Sequence, residues 1–477
     1  MLDQAKAANK PQSGMDGGRR KNMKLKSITR RRLAGASLTA ALALPIALSA
    51  CSKAADEPEK KVLRIPFYDE ESFPRSYGDY FAIKFPDVEV QIIPTKDLFG
   101  PGKNYYEVYE KLIREQKPDL LITYDSSQYM KWANAGLLLD LEPLARKSKY
   151  DLGSFSPAAI AQLKANDEGK LFGLAPELTS YALYYNKDLF DRYGVPYPTN
   201  RMSWEETMRL ARQFPIDPDP DKRIYGIHEK YWTPFDIVYD IASTDGAEFL
   251  SPDGKQMTIR TPLWTKAFRH VVDGFKAGSL YYYYKDGKPI QYGPDETKQM
   301  DLFSSSKAAM MISDTEQMFR MKQWGQAELN WDIVTVPVDP ANPELTRRFN
   351  VAPVYAVSVN AEHVETAWKV VQYFNSEEAA KVKQKTANVL STRTAFAKTK
   401  DGRSLEPFYL LKQKQQADLS YLNMPGSFYQ TFQTLTIREI DEAVKGRKTV
   451  EEAVNTLQTE GQVLLDKGWT QHNAMIK

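Results

Sequence analysis

Residues 62–122 carry the pattern that decides the fold: VLRIPF at Val62–Phe67, YFAIKF at Tyr80–Phe85, VEVQII at Val88–Ile93 and LLI at Leu120–Ile122. The first reads as a buried strand, Tyr80, Phe81, Lys84 and Phe85 as one face of a helix, and Val88–Ile93 as a second strand. Tyr105, Tyr109, Leu112 and Ile113 return to helical spacing, and Leu120–Ile122 follows Pro118-Asp119 as a third strand. Strands alternating with helices predict a parallel sheet with helices on its faces, an α/β fold.

The same alternation recurs downstream. Asp332–Val336 and Val354–Val359 are strand-like, and residues 361–374 place Val364, Ala367, Val370, Val371 and Phe374 on one helical face. The last hundred residues read as helical, with Val450, Ala453, Val454 and Leu457 at apolar spacing. No internal repeat, heptad array or second hydrophobic span is visible. A length of 477 residues allows two to four domains. With 42% hydrophobic and 12% aromatic residues the chain has ample material for a core, which excludes disorder over most of its length.

Charge is unevenly distributed. Residues 1–32 hold ten Lys or Arg against two Asp, so the formal net charge of +3 becomes −5 beyond them. A mildly acidic body gives no electrostatic reason to expect nucleic acid as a partner. Cys51 is the one cysteine, which excludes an intrachain disulfide and a cysteine-based zinc site.

Arg30-Arg31-Arg32 precedes sixteen uncharged residues, Leu33–Leu48 (LAGASLTAALALPIAL), and then Ser49-Ala50-Cys51. Basic, apolar and small-residue regions in that order predict a secretory signal over residues 1–51. As a helix the apolar run spans about 24 Å, short of a bilayer core of about 30 Å, and Pro45 interrupts it. Leu48-Ser49-Ala50-Cys51 resembles the bacterial lipobox, which implies a diacylglyceryl group on Cys51 and anchoring to the outer face of the cytoplasmic membrane. Residues 1–22 match no part of such a signal, so a start at Met1, Met15 or Met23 stays open. Thr29–Leu33 (TRRRL) weakly resembles a twin-arginine signal beside the ordinary secretory one. Residues 52–61 (SKAADEPEKK) read as a polar tether.

Glu168–Pro176 (EGKLFGLAP), Ala182–Phe190 (ALYYNKDLF) and Thr199–Leu210 (TNRMSWEETMRL) resemble, in order, the turn, strand and helix motifs of the solute-binding lipoproteins of carbohydrate ABC importers. These are the family 1, maltose-binding-protein-like receptors. Asn134–Leu141 (NAGLLLDL), Phe303–Ile312 (FSSSKAAMMI), Trp331–Val338 (WDIVTVPV), Thr366–Phe374 (TAWKVVQYF) and Val389–Arg393 (VLSTR) agree in the family's order. The resemblance implies a two-lobed periplasmic-binding-protein fold with three interlobe crossings and a cleft between the lobes. Carried onto this chain, hinge segments fall at 176–181, 334–338 and 374–378. Lobe one is then 62–175 with 339–373, and lobe two is 182–333 with 379–477.

A neutral sugar offers hydroxyls that need directional partners and CH faces that favour an aromatic platform. The family pattern implies contacts from the loop after the first strand (Tyr68, Asp69, Glu70) and from the loop after the third (Tyr124, Asp125, Ser126). Both lie outside the carboxyl ends of parallel strands, where open sheets bind ligands. The first crossing adds Glu177, Thr179 and Tyr181; the second lobe adds Glu229, Tyr231 and Trp232; and Met424–Tyr429 offers a ring from Phe428 or Tyr429. Where relatives carry a glycine and a stacking tryptophan, this chain reads Ser313-Asp314-Thr315-Glu316, so Asp314 or Glu316 is an alternative hydroxyl acceptor.

The implied function is capture of a sugar or oligosaccharide by a monomeric, membrane-tethered receptor and its delivery to the permease subunits of an ABC importer, with no cofactor, metal or catalytic residue. Two rivals stand beside it. A secreted glycosidase would also need paired carboxylates in an aromatic cleft, but no GxSxG, HExxH or Walker loop is present and only four His are available. A receptor for a peptide, polyamine or other non-sugar solute is disfavoured by the aromatic content. Asp217-Pro218-Asp219-Pro220-Asp221 has the opening of a calcium loop, yet Lys222 stands at the glycine position and His228 at the bidentate glutamate position, so a solvated turn is expected.

Overall fold

The computed structural model describes residues 61–98, 105–219, 222–229, 232–281, 284–285, 288–289, 300–323, 329–386, 389–398, 402–414 and 424–476. The expected leader, the lipobox-like stretch with Cys51, most of the expected tether and Tyr231 lie outside these residues. Among the described residues no helix is long and apolar enough to cross a membrane.

The first lobe forms around the strand-helix-strand unit read from the sequence. Lys61–Phe67 and Val88–Pro94 pair in parallel, with Leu63 opposite Val90 and Ile65 opposite Ile92. The helix Ser72–Lys84 joins them and buries Phe73, Tyr77 and Phe81, four residues apart, on the sheet. Asp119 ties in the third strand, Leu120–Thr123: its amide donates to the Arg64 carbonyl and its carboxylate accepts from the Arg64 amide, both at 2.9 Å. Val354–Val357 and then Gly173–Leu174 extend that sheet, with Val354–Val357 antiparallel to both neighbours. The helix Val364–Phe374 covers it through Ala367, Val370, Val371 and Phe374.

The second lobe contains a five-stranded sheet in the order Trp331–Thr335, Ala182–Asn186, Ala308–Ser313, Tyr225–His228, Leu280–Tyr281. Ala182–Asn186 is buried on both faces, with Leu183 and Tyr185 in one apolar cluster and Tyr184 in the other. Asn186 then turns strand into helix. Its side chain accepts from the Leu189 amide at 3.2 Å to cap Lys187–Tyr193, which ends at Gly194 in the left-handed region (φ 63°). A capping box of Ser203 and Glu206 starts Trp204–Ala211 in the same way. Gly226 lies so close to that helix that a Cβ there would sit 1.9 Å from the Ala211 carbonyl oxygen. The helices Pro234–Thr244, Pro262–Lys276, Phe428–Val444 and Val450–Ile476 complete the second core.

Between the two lies a three-stranded antiparallel sheet. Glu177–Ser180 runs in the middle, flanked by Phe349–Val351 and Leu390–Ser391. The packing here differs from the sequence reading in two places. Val334, Val336 and Val338 are buried in the second core, and the chain reaches the middle sheet only at Phe349. Residues 379–394, assigned by the motifs to lobe two, are tied to the first. The Thr392 amide donates to the Pro176 carbonyl, the Ser156 amide to the Thr392 carbonyl, and the Thr394 amide to the Ser154 carbonyl. Buried Arg393 donates to the Asn375 carbonyl and the Tyr150 hydroxyl, both at 2.8 Å, and to Ser154. Contact with the second lobe's sheet resumes at Arg403, whose guanidinium lies 4.0 Å from the centre of the Trp331 ring, and at Phe408, 6.3 Å from Tyr184.

Candidate functional site

Strand alternation builds the floor of the site. In Glu177–Ser180, Leu178 and Ser180 are buried while Thr179 is exposed and Glu177 half-buried. Asn350 stands directly across from Thr179. Extending that register by one residue places Arg348 opposite Tyr181, and the guanidinium lies 5.0 Å from the centre of the Tyr181 ring. Glu177, Thr179, Tyr181, Arg348 and Asn350 therefore share one face.

Arg348 is the centre of this face, with its side chain only 11% exposed. Its Nε donates to Asp240 Oδ1 at 3.0 Å, a terminal nitrogen is ion-paired with Oδ2 at 2.9 Å, and it reaches Glu229 at 3.4 Å. The Trp232 ring covers it at 4.1 Å. Burial pushes the Glu229 carboxyl well above its ordinary value, and Arg348 only partly offsets this. Burial likewise raises the Tyr181 phenol. Next along the second lobe, Tyr429 donates its hydroxyl to Asp236 at 2.8 Å. The result is a half-buried floor of rings, carboxylates and one guanidinium, suited to hydrogen-bonding a hydroxylated solute.

The first-lobe loops contribute differently. Tyr68 and Tyr124 are 57% and 63% exposed, and the Tyr124 hydroxyl lies 3.1 Å from that of Tyr77, which also receives the Tyr355 hydroxyl at 3.3 Å. Asp69 accepts from the Ser72 amide and hydroxyl, both at 2.7 Å, which holds its carboxyl below the ordinary range. Glu70 beside it is exposed. Asp125 caps Ser126–Asn134, accepting from the Ser127 amide at 2.8 Å, and also takes the Tyr106 hydroxyl at 3.1 Å. Both aspartates thus spend part of their acceptor capacity on local backbone. Ser126 lines a cavity at the start of that helix.

Phe428 is corrected from its expected place. It is 1% exposed, stacked on Phe249 and Phe432 at 6.0 and 5.4 Å, and belongs to the second core, so of the two rings at that segment Tyr429 is the one outside it. Glu177 is ion-paired with Lys383. Asp314 is half-buried, its carboxyl raised by burial and by neighbouring Glu316, and its backbone carbonyl accepts the Tyr184 hydroxyl at 2.7 Å. In the aspartate-proline turn the Asp217 carboxylate takes the Asp219 amide at 2.9 Å and Lys222 pairs with Asp219. No cluster of three metal-binding side chains occurs among the described residues.

Sequence reading missed Arg348, Asp240 and Asn350. The only available signal was the even spacing that puts residues 348 and 350 on the face used by 179 and 181, and it becomes readable only once the two strands are known to pair.

Comparison with known proteins places the chain. It is 24% identical over 388 residues to the maltodextrin-binding protein MdxE of Bacillus subtilis, covering 78% of this chain and 84% of that one. Binding proteins of Brucella abortus are 26% identical over 222 residues, and against these the chain spans only about half of their length (50%). The fold is shared with a sugar transporter of Rhizobium etli in an open conformation (19% identity, 84% of this chain and 98% of that one, TM-score 0.55). It is also shared with the sugar-binding protein MalE of Xanthomonas citri (16%, 85% and 98%, 0.57). Residues 68–381 match the sequence profile of the bacterial extracellular solute-binding proteins, so the chain is a member of that family.

Proposed function

We propose that the protein is an extracytoplasmic receptor that captures a sugar or oligosaccharide between its lobes and hands it to the permease of an ABC importer. The observation that carries this is the floor, where Tyr181 and Arg348, beside the strands joining the lobes, adjoin Trp232, Glu229 and Asp240 of the second lobe. Rings meet the CH faces of a sugar and the charged groups meet its hydroxyls; leaving a buried partner unpaired costs about 1–3 kcal/mol, which gives selectivity. In this reading Tyr68, Tyr124, Asp125, Ser126 and Asp69 from lobe one meet the ligand opposite Trp232, Tyr429 and Asp314 from lobe two. A sugar-selected closed form requires contacts with both walls. A Kd of about 1 μM, about −8 kcal/mol, suits scavenging of a dilute solute.

The role is binding and delivery without catalysis, in a monomer. We assign 1–51 to a lipoprotein signal, with Cys51 lipidated and the protein held on the outer face of the cytoplasmic membrane. We divide the described chain into a first lobe of 61–175 with 352–394 and a second of 182–338 with 403–476, joined by 176–181, 339–351 and 395–402. Mass spectrometry of small molecules released from the purified protein on denaturation, followed by calorimetry with a saccharide panel, tests the function. Absence of any bound or binding saccharide overturns it, and recovery of cleaved oligosaccharide would assign an enzyme instead. Cys51→Ser moves the protein from the membrane fraction to the medium or periplasm if the anchor is correct.

A further inference from the structure

Three tyrosine hydroxyls form a chain from the core of the first lobe to its surface. The hydroxyl of buried Tyr355 lies 3.3 Å from that of buried Tyr77, which lies 3.1 Å from that of exposed Tyr124. Tyr355 stacks on Phe374 at 5.2 Å, and Tyr77 meets both of those rings edge-on, so packing holds the inner two phenols in place. Tyr124 stands directly after the strand Leu120–Thr123, at the carboxyl end where open sheets bind ligands. Among the described residues neither inner hydroxyl has a partner outside the chain.

Counting protons gives the chain a direction. Each phenol carries one, and burial pushes the Tyr77 and Tyr355 phenols well above their ordinary value, so both stay protonated. If Tyr124 donates to Tyr77 and Tyr77 to Tyr355, the Tyr355 proton is left in the core without an acceptor. If Tyr124 and Tyr355 both donate to Tyr77, the Tyr77 proton is stranded instead. Only the outward order, Tyr355 to Tyr77 to Tyr124, pairs every buried proton. A stranded buried donor costs its full desolvation penalty, which disfavours either alternative by about tenfold or more. The outward order engages the Tyr124 oxygen as an acceptor and leaves its own proton on the exposed side, and each bond in such a chain polarises the next.

We propose that Tyr124 is a one-way hydrogen-bond donor to an oxygen of the bound saccharide, with Tyr77 and Tyr355 as the positioning residues that set its direction; the inference rests on the sugar-binding reading above. Tyr124 is then a specificity determinant: a hydroxyl, ring or glycosidic oxygen can accept there, and an ammonium group, which only donates, cannot. Neutron diffraction from unliganded crystals of the mature protein exchanged into D2O reads the direction without a ligand. The deuterium of Tyr355 should point to Tyr77, that of Tyr77 to Tyr124 and that of Tyr124 away from Tyr77; a Tyr124 deuterium aimed at Tyr77 overturns the proposal. Calorimetry with glucose, maltose, cellobiose and xylobiose then finds the sugar bound most tightly, and its single amino-for-hydroxyl analogues are compared with it at about pH 6, where the amine is protonated. At one position the amino analogue should bind at least about tenfold more weakly than the parent. Tyr77→Phe, which releases Tyr124 to accept, should cut that penalty to about threefold or less. Tyr355→Phe removes an equally buried hydroxyl but leaves Tyr77 donating outward, so it should keep the penalty. Loss of the penalty in both variants, or in neither at every position, overturns the positioning role while leaving the sugar-binding reading intact. A wild-type protein that binds none of the sugars overturns that reading, and the neutron map still decides the direction of the chain.

Discussion

At the residue scale the cleft floor turns on Arg348 and its two carboxylates. Removing one partner of a buried ion pair leaves the other charge stranded, so Arg348→Leu should lower stability by about 3–5 kcal/mol at neutral pH, read by urea denaturation. Glu229 makes the pH dependence testable. Its carboxyl is raised by burial, so the folded protein holds this proton more tightly than the unfolded chain does. The stability that protonation contributes is complete below the ordinary glutamate value, about 4.3, and is lost as pH rises through the folded value. Glu229→Gln should therefore lose less stability than wild type between pH 5 and pH 8; identical slopes would refute the shift. Trp232→Ala should weaken saccharide binding by tenfold or more while moving Tm little, because the ring is half-buried at the rim of the second core.

Two elements show how closely local chemistry binds this fold. Gly226 accommodates the end of the helix Trp204–Ala211 against the strand Tyr225–His228. Gly226→Ala forces the two apart and should cost about 3 kcal/mol, seen as a fall in Tm. Arg393 fastens Leu390–Ser391 to the first lobe through carbonyl and hydroxyl acceptors, with Phe155 at 4.5 Å from its guanidinium. Arg393→Met should speed amide exchange in residues 390–394 and leave the second lobe's exchange unchanged. Much at this scale was legible in the sequence. Periodicity located the strands of the first sheet and the helix Val364–Phe374, and the family resemblance of Ala182–Phe190 marked a helix start, where Asn186 supplies the cap. What was hidden depended on distant partners. Nothing within residues 374–394 announces that Arg393 will find Tyr150, and the alternation of Phe428 and Phe432, four apart, fits a helix core as well as a stacking platform. Arg348 carried no motif because its meaning arises from the pairing of Phe349–Val351 with Glu177–Ser180.

For the whole molecule, the expected behaviour is closure of the lobes on ligand. X-ray scattering should show a smaller radius of gyration when a binding saccharide is added, and superimposable profiles would contradict closure. The middle sheet has a further consequence. Thr179, Tyr181, Arg348 and Asn350 sit on or beside the strands Glu177–Ser180 and Phe349–Val351; if these strands are the pivot, as proposed, these residues should touch a guest similarly before and after the lobes swing together. Contacts of equal strength in two states shift no equilibrium between them. On the proposed function, strength of capture and the conformational message to a transporter should therefore be separable properties. Damage to the pivot should be curable by raising solute concentration, whereas damage to the flanking surfaces should yield a receptor that saturates yet fails to trigger uptake.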